Sequence, residues 1–98
     1  MHVAKSMNIS CRTISGEAFI FNQETRELIK LDKVGSFIWD QIDGIKTIQI
    51  ITENCIKTFE GDEETIKQSV EEFIRELCNK NVAVLATKPF PKEMTSVC

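Results

Sequence analysis

The 98-residue chain has no tyrosine, one histidine, one tryptophan, two prolines and four glycines. Glycine is too sparse and too scattered for a phosphate-binding loop. The one imidazole, His2, lies in an opening stretch without pattern. No segment approaches 18 consecutive apolar residues and no hydrophobic run follows Lys5, so neither a membrane span nor a signal peptide is indicated, and the expected compartment is the cytoplasm. Cys11, Cys55, Cys78 and Cys98 stand too far apart for a local metal-binding pair and do not reproduce an iron-sulfur ligand run. Glu63/Glu64 and Glu71/Glu72 are sequence neighbours, which diverge on a helix and read as a solvated face. The expectation is a non-catalytic protein with no metal and no cofactor.

What is present is enough for one domain. Hydrophobic residues make up 42% of the chain and the net charge is -3, as in an ordinary soluble globule with a single core. The charge is uneven, because Glu60 to Glu76 holds seven acids against Lys67 and Arg75. A helix meant to lie on phosphates carries the opposite sign, so nucleic acid is not an expected partner.

The organising stretch is Val34 to Asp43, which contains Trp39 and is followed by Gly44. Val34, Phe37, Ile38 and Ile42 recur at helical spacing as one apolar stripe. Asp32 is the candidate N-cap, Gly44 the candidate stop, and Trp39 reads as core. Before this helix, residues 1–7 read as a flexible N-terminus and Asn8 to Ile14 as a weak strand. Ala18 to Phe21 and Glu27 to Leu31 read as a hairpin, with Ile29 and Leu31 on one face and Leu28 and Lys30 on the other. After it, Thr47 caps a helix to about Phe59 with Ile48, Ile51, Cys55 and Phe59 buried. Asp62 caps a third helix through Lys80 with Ile66, Val70, Phe73, Ile74, Leu77 and Cys78 on its apolar positions. Cys55 and Cys78 read as reduced, buried thiols and Cys98 as exposed. Asn81 is a left-handed cap, Val82 to Leu85 a short strand, and residues 87–98 a tail. The class is therefore α+β: a small N-terminal antiparallel sheet of two or three strands on three helices, like a winged helix-turn-helix, occupying residues 8–86.

The runs GEAFIFNQET from Gly16 to Thr25 and LDKVGSFIW from Leu31 to Trp39, then Asp43-Gly44 with Thr47 opening a helix, and EEFIREL from Glu71 to Leu77, resemble the PqqD family. These are peptide-binding domains, also called RiPP recognition elements, of ribosomally made and post-translationally modified peptides. Two positions depart from the family pattern. Arg26 stands where the family often has glycine; a left-handed arginine would cost roughly 1 kcal/mol, so the turn is expected to be built differently. Asp32 stands where the family often has asparagine, and either residue caps a helix.

The resemblance implies an adaptor that captures the leader segment of a precursor peptide and presents it to a modifying enzyme, commonly a radical S-adenosylmethionine enzyme. The leader would add as a strand beside Glu27, Leu28, Ile29, Lys30 and Leu31. The wall implied on the third helix is Lys67, Val70, Glu71, Ile74, Arg75 and Cys78, with Val70 and Ile74 open between groove and core. An exposed edge also invites self-pairing, hence a homodimer as a further partner. The alternatives are a winged-helix DNA-binding regulator using Lys33, Lys46 and Lys57, and a structural subunit of an enzyme complex.

Overall fold

The computed structural model describes residues 1–96 and 98. Strands β1 (His2–Lys5), β2 (Ile9–Ile14), β3 (Glu17–Asn22) and β4 (Leu28–Lys30) precede helices α1 (Lys33–Gln41), α2 (Ile48–Thr58) and α3 (Glu63–Asn79), and β5 (Ala83–Ala86) follows. The antiparallel sheet β2-β3-β4 packs on the helices as expected for the α+β class, and a second antiparallel pair joins β1 to β5. No helix among the described residues is long and apolar enough to cross a membrane.

The opening residues are the clearest departure from expectation. Rather than fraying, residues 2–5 form β1, with Val3 and Ala4 at 0% exposure. On one side β1 pairs β5, with Val3 opposite Leu85. On the other, Val3 N–H donates to the Lys46 carbonyl at 3.2 Å, and its own carbonyl accepts from Gly44 N–H at 2.8 Å. A four-residue strand whose partners lie 40 and 80 positions away leaves no local pattern to read.

Each helix starts where the sequence places a cap. Asp32 accepts from Gly35 N–H, Thr47 from Ile50 N–H and Asp62 from Thr65 N–H, each satisfying a donor the first turn leaves bare. Such caps are typically worth about 1 kcal/mol each. The α1 stop differs from expectation: the helix ends at Gln41, and Ile42 N–H bonds the Trp39 carbonyl. Gly44 instead serves the following turn at φ +86°, where a Cβ would stand 2.7 Å from Thr95 Cγ2.

Trp39, Ile38 and Ile42 enter one core with Ile20, Leu31, Ile51, Cys55, Val70, Ile74 and Leu77. Val34, assigned to the same stripe, is 46% exposed, because the first turn of α1 runs out beside β4 instead of beneath the sheet. Cys55 is buried as expected, whereas Cys78 is only half-buried because it faces the space between α2 and α3. Cys98 is half-buried rather than exposed, since the tail folds back: Phe90 N–H donates to the Gly44 carbonyl, Ser96 N–H to the Lys5 carbonyl, and Lys5 Nζ to the Cys98 carbonyl. Lys5 Nζ also lies 4.8 Å from the centre of the Trp39 ring, and burial pulls its pKa below the usual lysine range.

Candidate functional site

Strand β4 is short because it is caught between two fixed points. The Asn22 side chain, fully buried, accepts from Glu24 N–H at 2.9 Å and Thr25 N–H at 3.2 Å, so the turn after β3 closes on that oxygen. Arg26 N–H then donates to the Asn22 carbonyl at 2.8 Å, and Arg26 adopts φ 64°. The turn thus keeps the left-handed residue of the family pattern, at the cost of a strained arginine, and is not rebuilt. At the far end, Ser36 Oγ accepts from Ala18 N–H at 2.7 Å, tying α1 to β3 where Leu31 N–H donates to the Ala18 carbonyl.

Two backbone bonds fix how β4 presents itself: Asn22 N–H to the Glu27 carbonyl at 2.9 Å, and Leu31 N–H to the Ala18 carbonyl at 2.9 Å. Antiparallel pairs alternate, so Ile29 turns its polar backbone groups toward β3 while Leu28 and Lys30 turn theirs outward. β4 is the last strand of its sheet, and this outward row is an open edge. Side chains alternate in the orthogonal sense. Leu31 is buried and Ile29 half-buried, while Leu28 is 63% exposed. Lys30 Nζ lies 5.9 Å from the Phe19 ring centre and 3.9 Å from Glu17.

A cavity of about 320 Å³ opens beside that edge. From α1 it takes Val34, Gly35 and Ile38, and from α3 and its cap Ser69, Phe73, Glu76, Leu77 and Lys80. The two helices approach closely at Gly35, where a Cβ would lie 3.1 Å from Phe73 Cε1. Lys80 Nζ bonds Glu27 Oε2 at 2.8 Å across the end of the groove, and that hydrogen bond raises the lysine pKa.

The structure therefore gathers Ile29, Lys30 and Leu31 at this groove, with Glu27 joined to it through Lys80, while Leu28 stands outside the lining, exposed at the edge strand. It does not bring the anticipated helix wall to them. Val70 is core at 1% exposure, and Lys67, Glu71, Ile74, Arg75 and Cys78 line a different cavity, between α3 and α2. The side of α3 facing β4 is the stripe Ser69, Phe73, Glu76, Lys80, at helical spacing but in another phase. Signals for that phase exist: Phe73 is an aromatic outside the Val70, Ile74, Leu77 stripe, and Lys80 has the charge opposite to Glu27. Lys46, a candidate phosphate contact in the DNA-binding alternative, is held by Asp43 at 2.8 Å. Among the described residues no group of three His, Cys, Asp or Glu is placed to hold a metal ion.

The model of the family described as coenzyme PQQ synthesis protein D (PqqD) matches residues 17–83, the span from β3 to β5. The chain belongs to the PqqD family. Two solved structures share its fold. One is TbiB1 in complex with the TbiA(beta) leader peptide, 24% identical, with a TM-score of 0.78 over 87% of this chain and 99% of that one. The other is lasso peptide synthetase B1 complexed with the leader peptide, 9% identical, with a TM-score of 0.77 over 87% of this chain and all of that one. No curated protein matches the chain. The PqqD match covers the groove whole, both β4 and the length of α3.

Proposed function

We propose that this PqqD-family domain is a non-catalytic adaptor that captures the leader segment of a ribosomally made precursor peptide and presents it to a peptide-modifying enzyme. The observation that carries this reading is the open edge of β4 beside a cavity walled by α1 and α3, with Leu28 exposed on that strand. Such an edge offers backbone bonds that tolerate many sequences, and the cavity beside it selects among alternate side chains. That both structures of similar fold are leader complexes supports the same assignment.

The leader lies antiparallel or parallel to β4 and turns every second side chain toward Val34, Phe73 and Leu77. The intervening side chains pass over Leu28 and Lys30, where an acidic group meets the lysine. A second copy pairing edge to edge would occupy the same strand position, so leader capture and a homodimer through β4 are mutually exclusive states. The modifying enzyme proposed is of the radical S-adenosylmethionine class, the common partner of the family resembled, and nothing in the groove depends on that class.

The test is a titration of the protein with the leader of the precursor encoded beside it, followed by backbone amide shifts, with duplex DNA in parallel. Saturable shifts centred on residues 27–31, 34–38 and 69–80 are expected. Shifts elsewhere would move the groove, and salt-sensitive DNA binding without leader binding would replace the adaptor by a regulator.

A further inference from the structure

Helix α3 lines a second cavity. Opposite the β4 groove it borders a larger cavity of about 810 Å³ against α2, floored by Ile48, Ile74 and Cys78, with Leu85 at one end. Lys67, Glu71 and Arg75 stand along the α3 rim one turn apart with alternating sign, and Glu53 stands on the α2 rim. Charges so spaced ordinarily pair with each other along the helix. Here they do not: the ion pairs among the described residues are Lys30–Glu17, Lys46–Asp43 and Lys80–Glu27, none of them in this cavity. Four unpaired exposed charges therefore ring an apolar floor.

Both long walls are helices whose backbone groups are bonded internally, so an occupant lying along them gains no strand ladder, and β5 reaches the cavity at one end, through Leu85. The occupant must bring a satisfied backbone of its own. It must also match a repeat of one helical turn, over about 12 Å from Lys67 to Arg75. We propose that this groove seats one amphipathic helix of the peptide-modifying enzyme. Its apolar stripe lies on Ile48, Ile74, Cys78 and Leu85, and an acid, a base and an acid one turn apart face Lys67, Glu71 and Arg75. This rests on the adaptor reading, which requires the domain to hold the enzyme while β4 holds the leader, and it places the two partners on opposite sides of α3.

A second copy of this chain is a poorer occupant. An antiparallel self-pairing that sets Lys67 against the copy's Glu71 brings Glu64 over Ile74 and leaves Cys78 beyond the start of the copy's α3. The pairing that sets Glu71 against the copy's Arg75 brings Glu72 and Gln68 over Ile74 and Cys78 instead. Either way the charges match only by covering the apolar floor with polar groups.

The experiment uses the full chain, the leader and the modifying enzyme encoded beside it. Leader and enzyme affinities are measured separately by calorimetry for the wild type and for the double variant Lys67→Glu/Arg75→Glu. Both positions are exposed, and the amide spectrum verifies that the variant is folded. The expected result is an unchanged leader affinity and an enzyme affinity lowered by about tenfold or more, with wild-type enzyme-induced shifts at residues 48–53 and 67–78. Equal enzyme affinity for both proteins, no enzyme binding by the wild type, or a wild-type dimer that the variant dissolves in sedimentation would each overturn the proposal. Failure of the wild type to bind leader would overturn the adaptor reading alone, because the enzyme measurement judges this groove independently.

Discussion

The Asn22 amide donates to the Lys80 carbonyl at 2.9 Å, joining the end of β3 to the cap of α3 across 58 residues of chain. Its oxygen at the same time closes the turn into β4 and accepts from Asn8 Nδ2 at 3.2 Å. One fully buried side chain thus sets both walls of the groove. Asn22→Ala is expected to cost about 2–4 kcal/mol in urea unfolding, because buried donors and acceptors lose their partners together. Asn22→Asp retains the acceptor and loses the donor, so it should cost less in the turn while loosening the Lys80 end, seen as amide shifts concentrated near residue 80.

Leu28 separates binding from folding. At 63% exposure its replacement by aspartate should change stability by no more than about 0.5 kcal/mol. Leader affinity, measured by fluorescence titration, should fall by about tenfold or more, since a carboxylate then sits beside the apolar strand position. Global unfolding of Leu28→Asp would place Leu28 in the core and remove it from the leader's contacts on β4.

Gly35→Ala tests the groove's width. The added methyl meets Phe73 Cε1 at 3.1 Å and Asp32 Oδ1 at 3.2 Å. Alanine is favoured over glycine in a helix by about 1 kcal/mol, which offsets the crowding, so the melting temperature should move little. The Phe73 ring must yield toward the cavity, and leader affinity is expected to drop.

Asp43 gives a dependence on pH. Burial works to raise its carboxyl pKa, but hydrogen bonds from the Lys46 side chain and from the Lys46 and Ile45 amides outweigh it, leaving the pKa below the ordinary value of 3.8. A carboxyl depressed on folding contributes stability above its unfolded pKa, and that contribution is lost as pH falls through the folded one. Wild type should therefore be more stable than Asp43→Asn in urea at pH 7, with the gap closing progressively below about pH 4.

Cysteine reactivity offers a check on the folded-back tail. Burial, then the Cys98 thiol against it, push the Cys11 thiol up to about 11, and burial raises Cys55 and Cys78 as well. Alkylation of Cys11 at pH 7, followed by mass spectrometry, should be far slower than in urea and should accelerate steadily with pH. Rapid labelling of Cys11 in the native protein would mean the tail does not cover it.

Local chemistry made most of the fold legible in the sequence. Asp32, Thr47 and Asp62 are caps in the structure because a carboxylate or hydroxyl beside a bare helix amide needs nothing distant to act. Leu28 and Lys30 face outward because alternation in a strand is a property of the backbone. Strand β1 was hidden since its partners come from residues 44–48 and β5. The helix positions named for the wall, Val70 apart, line the other cavity for a related reason. Lys67 through Cys78 and Ser69 through Lys80 both satisfy helical spacing, and only the docking of β4 and α1 decides which of them meets the strand.

The pairing of β1 with β5 has a mechanical meaning. His2 lies opposite Ala86 and Lys5 opposite Ala83, so the outer ends of the two strands are at the same end of their ladder. Tension applied to the chain at residues 2 and 86 would load these rungs one after another, as a zipper is opened, instead of all at once in shear. The domain is built to yield to a pull at its two ends first, while β4 and α3, lying outside the line of force, are still clasped by Asn22.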